Sequence, residues 1–269
     1  MNTRLFFISI MTLCYGYINV VFSDSPVDRL TNITIIEDSP NYDNYGYNNC
    51  NMVLNGELQL IQNVIKDGDV VFDVGANKGS WSLNVFNCNK SALIYCFEPI
   101  PEFFQILPKT LNGNNFKSYQ LAISDYDGSS DFYYYPTIPG LSTIHRRNDE
   151  VETKYNLKPV CFSVITTTID SFCKTQSVSK IDYLKIDVEG GEWGVIKGSA
   201  EMLANIECIQ FEYGGCYLDA NTYLKDVYDF LTTHNFTIYR IVPEGLIKVS
   251  KWRNELENFQ YTNYLAIRN

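Results

Sequence analysis

Four acids occupy positions where an α/β fold concentrates chemistry. The run Val70-Val71-Phe72-Asp73-Val74-Gly75-Ala76-Asn77-Lys78-Gly79 reads as a short buried strand. It ends in an acid and turns through glycines into a helix starting near Ser80. Glu98 closes the apolar run Leu93–Phe97, Asp187 ends the run from Ile181, and Glu212 ends Ile206–Phe211. Alone, each would read as a helix cap or a solvated turn residue. At equivalent ends of four strands they point to a shared polar site. The glycine turn adds backbone N–H groups and a helix N-terminus that can approach a nucleotide-like ligand closely.

Spacing narrows the ligand. Glu98 lies 25 residues after Asp73, at the end of the second strand, where an acid accepts hydrogen bonds from ribose hydroxyls. A dinucleotide fold wants Gly-x-Gly-x-x-Gly around a pyrophosphate, and an NAD-dependent oxidoreductase would need that turn. Here the pattern is Asp-x-Gly-x-Asn-x-Gly, and Asp73 would repel a pyrophosphate. The acid suits instead a cofactor with a cationic amino group and a ribose, as in S-adenosylmethionine.

Several segments together resemble the FkbM family of S-adenosylmethionine-dependent methyltransferases. They are Phe72–Gly79, Cys96-Phe97-Glu98-Pro99, Leu121–Gly128, Thr167-Thr168-Ile169-Asp170 and Leu184-Lys185-Ile186-Asp187-Val188-Glu189-Gly190-Gly191-Glu192. The resemblance covers about residues 70 to 240. It implies a Rossmann-like class I methyltransferase fold and methyl transfer, usually to oxygen on a sugar or other small molecule. Carried over by position, Asp73, Gly75, Asn77 and Gly79 form the methionine end of the cofactor site, and Glu98 takes the ribose. Ala122 and Ile123 lie near the adenine, with Ser124 and Asp125 available for a polar contact. Asp187 faces the sulfonium methyl as general base or orienter of the acceptor hydroxyl. Glu189 and Glu192 qualify by position too, although acids also favour a helix start. His145 is a second catalytic candidate by chemistry. Lys185, unusual inside an apolar strand, is expected to pair with Asp187 or Glu212 or to reach the site. Asp187, Glu189 and Glu212 are hard oxygen donors, yet no metal is expected, because the fold already uses acids at its strand ends.

The elements that must position these groups alternate. Strand and helix patterns follow one another from residue 70 to about 240, which predicts a mostly parallel seven-stranded sheet with helices on both faces. Phe116–Ile123 reads as one strand, residues 101–111 as one helix, and Leu246–Val249 with Tyr261–Ile267 as a closing hairpin that includes a C-terminal antiparallel strand. Thr137–Leu157 carries little periodicity and reads as a long functional loop, with Arg146 and Arg147 as solvated charges or contacts to an acidic substrate.

Residues 56–269 form the expected catalytic domain, and residues 24–55 an irregular lead-in. Residues 1–23 read as a signal peptide, with an uncleaved anchor as the alternative, so the enzyme is expected in the secretory pathway or outside the cell. Sequons at Asn32, Asn89 and Asn235 agree with that route. Eight cysteines are present; Cys96 and Cys208 read as core thiols, and Cys50, Cys88, Cys161, Cys173 and Cys216 as disulfide candidates. The net charge of −10 argues against nucleic acid as the substrate. A small-molecule or glycan acceptor is expected, with a membrane partner only if the start is an anchor. A non-catalytic secreted binding protein on the same fold is the remaining alternative.

Overall fold

The computed structural model describes residues 25–37, 49–111, 113 and 115–269. The strands are β1 (Ile35–Ile36), β2 (Val70–Val74), β3 (Leu93–Phe97), β4 (Phe116–Tyr119), β5 (Ala122–Ile123) and β6 (Gly128–Tyr134). They continue with β7 (Val160–Thr167), β8 (Ile181–Ile186), β9 (Ile206–Tyr213), β10 (Phe236–Val242), β11 (Gly245–Lys248) and β12 (Thr262–Arg268). The main sheet runs β1-β11-β10-β12-β9-β8-β2-β3-β4, and β5-β7-β6 form a second, three-stranded sheet.

Inside the main sheet, β4, β3, β2, β8 and β9 are parallel, and β12 lies antiparallel between β9 and β10. Those seven strands are the expected core, C-terminal antiparallel strand included. The sheet is nine-stranded because β11 and β1 extend the β10 edge. The expected closing hairpin is also different. β11 folds back on β10 through the turn Pro243-Glu244, and β12 inserts on the other side of β10.

Period-2 alternation explains the two-faced core. β8 is buried along its whole length, as a central parallel strand must be. Phe72, Val74, Leu184 and Ile186 face one layer, packed by the helices Ile169–Gln176, Glu192–Lys197 and Leu224–Thr233. Val71, Ile94, Cys96 and Tyr183 face the other, under Glu57–Asn63 and Ser80–Cys88. A third apolar cluster joins Ile100 and Phe103 to Ala122, Phe132 and Val164 of the small sheet.

Two predicted elements divide. The strand expected over Phe116–Ile123 breaks after Tyr119, so β4 stays in the main sheet while β5 crosses to the small one. The helix expected over 101–111 splits into Pro101–Phe104 and Leu107–Thr110, with Pro108 in the first turn of the second piece. Within the expected loop, Asp149–Lys154 is helical, capped by the Asn148 side chain accepting from Val151 N–H.

The lead-in carries regular structure where it is described. Pro26–Leu30 is a 3-10 helix, and β1 pairs with β11. Arg29 is buried and bonds Asp69 (2.6 Å), Asp182 (3.1 Å) and Glu207 (2.6 Å), pinning this segment to the bottom of the sheet. The proposed signal segment, residues 1–23, lies outside the described residues. Among the described residues, no helix is long and apolar enough to cross a membrane. Their seven cysteines are unpaired. Cys173 and Cys216, read as disulfide candidates, are buried like Cys96 and Cys208, whereas Cys50, Cys88 and Cys161 are exposed.

Candidate active site

A cavity of about 380 Å³ opens beyond the carboxyl ends of β2, β3, β8 and β9, where ligands of open α/β sheets bind. Its floor is the turn after β2. Gly75 and Ala76 N–H both donate to Phe97 O at 3.0 Å, and Asp187 N–H donates to Val74 O at 3.0 Å. The turn therefore sits locked between the ends of β3 and β8. Gly75 has φ 84°, and a Cβ there would lie 1.8 Å from Asp187 O. Only glycine fits that approach.

Glu98 is a buried carboxylate of the lining. Its Oε2 accepts from Asn77 N–H and its Oε1 from Ile100 N–H, each at 2.8 Å. Each oxygen keeps a further lone pair for a ligand. Burial pushes the Glu98 carboxyl up to about 7, against those two backbone donors. Beside it, Ile100, Leu121, Ala122, Ile123 and Phe132 form an apolar wall. The sequence-predicted Gly75, Asn77, Glu98, Ala122, Ile123 and Asp187 are thus brought together in one lining.

Four predicted residues stand outside it. Asp73 is fully buried behind the floor. Alternation sends it to the Val71 face, where Oδ2 accepts from Ser82 Oγ at 2.6 Å and Oδ1 lies 3.4 Å from Lys185 Nζ. It supports the turn from below and is not among the lining residues. Gly79 caps the helix Ser80–Cys88 with φ 82° and packs against Leu107 and Leu111. Asp125 pairs with Lys197 at 2.5 Å, on the flank of the helix Glu192–Lys197. His145 donates its backbone N–H to Thr143 Oγ1 at 3.1 Å, and its neighbour Ile144, not His145 itself, lines the cavity. Burial lowers the pKa of the His145 ring.

The acidic end is built around Asp187. Lys185, paired in register with Asp73 across β2 and β8, reaches Asp187 Oδ2 at 3.0 Å. Burial works against the Lys185 ammonium, but Asp187 and Asp73 outweigh it and hold it above the ordinary lysine range. Glu189 has φ 57° and is bonded by Arg147, a buried residue that also lies 3.4 Å from Asp219. Arg147 is therefore neither a solvated loop charge nor a free contact for an acidic substrate. Arg146 is exposed and pairs with Glu152 at 2.8 Å. Burial pushes Glu189 up to about 8, opposed by Arg147. Glu192 proves structural: it is fully buried and accepts from Val188 N–H and Gly190 N–H at 2.9 Å each.

Asp187, Glu189 and Glu212 each offer a carboxylate oxygen, and these lie within 4.8 Å of one another. The donor type suits a hard divalent cation. All three are already engaged, by Lys185, Arg147 and Tyr261 respectively.

Sequence reasoning missed the outer wall. Cys50, Met52, Glu57, Trp81 and Tyr261 line it from segments distant in the chain. Glu57 begins a helix, yet it accepts from Asn55 Nδ2 at 2.6 Å and Gln210 Nε2 at 2.8 Å. No local pattern marks such contacts; only the sheet order reveals them.

The family follows from one comparison. Residues 73–238, more than half of the chain, match the model described as the methyltransferase FkbM domain. The chain belongs to this family. It is a methyltransferase, as its relatives are. The 2-O-methyltransferase NoeI of Sinorhizobium fredii is 26% identical over 200 residues, covering 70% of this chain and 80% of that protein. The hexuronic acid methyltransferase AglP of Haloferax volcanii is 25% identical over 162 residues, covering 59% and 63%. Among solved structures, M. capricolum TrmK in complex with S-adenosyl-homocysteine overlays with a TM-score of 0.45 at 12% identity, covering 81% of this chain and 70% of that one.

Proposed function

We propose that this methyltransferase uses S-adenosylmethionine to O-methylate a hydroxylated small molecule, a sugar or glycan above all. The observation that carries the reading is the convergence on one cavity of an apolar wall, Glu98, the glycine turn and Asp187. The apolar wall suits an adenine, Glu98 has acceptor capacity left for ribose hydroxyls, and the Gly75–Asn77 turn with nearby carboxylates suits an amino-acid end. When bound, the cofactor supplies an electrophilic methyl on a good leaving group.

The protein's own work is then positional. The walls hold the acceptor hydroxyl in line and exclude water, which supplies much of the acceleration. Asp187 accepts the hydroxyl proton, and Lys185 fixes its orientation through the 3.0 Å contact. The relatives NoeI and AglP, named as a 2-O-methyltransferase and a hexuronic acid methyltransferase, support a sugar acceptor. The test is mass spectrometry of a glycan panel after incubation with cofactor. A product heavier by one CH2 is expected, with Asp187→Asn slower by roughly a hundredfold or more. Cofactor binding without transfer to any acceptor of the panel would contradict the sugar reading.

The secretory location belongs to this reading as well. Asn32 and Asn235 are exposed sequon residues, whereas Asn89 is buried. Protein from secreting cells should lose glycans from Asn32 and Asn235 on glycosidase treatment. An unmodified, uncleaved cytosolic product would oppose this part of the reading.

A further inference from the structure

The acceptor end of the cavity carries a charge pattern that selects among sugars. Glu57, Asp187, Glu189 and Glu212 line it. Glu57 and Glu212 are 6% and 8% exposed, so water screens them little. Among the described residues, the buried cations within reach are already committed. Lys185 sits between Asp187 at 3.0 Å and Asp73 at 3.4 Å. Arg147 is bonded by Glu189 and lies 3.4 Å from Asp219. Lys78, the other lysine of the lining, belongs to the glycine turn and lies over the Phe103 ring, 5.2 Å from its centroid. Tyr261, whose hydroxyl bonds Glu212, adds an aromatic wall to the carboxylates.

We propose that this site takes an uncharged or amine-bearing polyhydroxylated acceptor and rejects acceptors that carry a carboxylate, such as uronates. The inference rests on the sugar O-methyltransferase reading and adds the charge class of the sugar. Ionised carboxylates accept from hydroxyl and ammonium donors and offer nothing to an anion. Burial holds Glu57, Glu189 and Glu212 above the ordinary range, so an added anion must be matched by extra bound protons, whereas an ammonium favours the ionised forms. A uronate placed among them would meet like charge in a poorly hydrated space, or would have to bring protons in with it. The buried cations cannot turn to it without abandoning Asp187, Asp73, Glu189 or Asp219. This sets the chain apart in acceptor charge from its relative named as a hexuronic acid methyltransferase.

The experiment compares three matched methyl glycosides: a glucoside, its 2-amino analogue and its glucuronide. Methyl transfer is read by mass with the full-length protein. The uncharged or amino sugar should exceed the glucuronide in kcat/KM by about tenfold or more. In Glu189→Gln, Arg147 loses one of its two acids, and the ratio of glucuronide to glucoside should rise several-fold. Glu57→Gln serves as the second variant, and a ratio is insensitive to partial loss of folded protein. Glucuronide methylated as well as or better than the others would overturn the charge inference while leaving the O-methyltransferase reading intact. An unchanged ratio in both variants would also overturn it. Transfer to none of the three, with cofactor bound, would remove the sugar reading and this inference with it.

Discussion

At residue scale, Glu98 lines the cavity as its strand-end position forecast, from a buried seat held by two backbone N–H groups. That seat makes a pH prediction. Burial raises Glu98 and Glu192 from 4.5 to about 7 each. An acid raised in the folded state binds its proton more tightly there than in the unfolded chain. The native state therefore holds more protons between 4.5 and 7, and stability falls as pH rises through that window. Asp125 and Glu152, both lowered, act only at more acidic pH, and the lowered His145 ring is one group opposing two within the window. The thermal midpoint of the ligand-free protein should be higher at the acid end of the window than at its upper end, with a smaller difference in Glu98→Gln. Cofactor affinity should run the other way, because the ionised carboxylate is the better acceptor of ribose hydroxyls. A flat affinity profile across pH 7 in the native protein would contradict the ribose role of Glu98. Asp73 shows the limit of reading single residues. Its type and place were legible, but its face was not, since one step of strand alternation decides between cavity and underside. His145 was picked by chemistry alone, and nothing in its aperiodic surroundings showed that Ile144 would hold the cavity side.

At the scale of elements, the turn after β2 is the part most fully written in the sequence. Gly75→Ala places a Cβ 1.8 Å from Asp187 O, so the ends of β2 and β8 must separate. The variant should lose at least about 2 kcal/mol of stability and bind cofactor at least tenfold more weakly. Denaturant melts together with ligand titration check this. A Gly75→Ala protein as stable and as tightly binding as the native one would mean that the turn is not held as described. The parallel strands and the helices on both faces were legible because buried strands are continuous apolar runs. The division of Phe116–Ile123 was not, since Gln120 and Leu121 carry no breaker signal. Nor was the placement of β12. Its apolar pattern says strand, while its neighbours are chosen by which edge β10 leaves open.

Across the whole molecule, the lead-in is bound to the fold by charge. Arg29 bridges Asp69, Asp182 and Glu207, with exposed Lys180 also bridging Asp182 and Glu207. Arg29→Met would leave buried acids short of their central cation and should cost about 3–5 kcal/mol, read as a lower denaturant midpoint. A change below about 0.5 kcal/mol would mean that the segment is not docked in solution. Composition showed an acidic chain with polar early residues, but a lone arginine among them gave no hint of three partners up to 178 positions away. The same distance hid the outer cavity wall at Glu57 and Tyr261. The central claim concerns the cavity as one cofactor site, and isothermal titration with S-adenosylmethionine tests it most directly. The native protein should bind one equivalent, and Glu98→Gln should bind roughly tenfold or more weakly, through loss of charge-assisted hydrogen bonds. No binding by the native protein, or equal affinity in native and Glu98→Gln forms, would contradict the account.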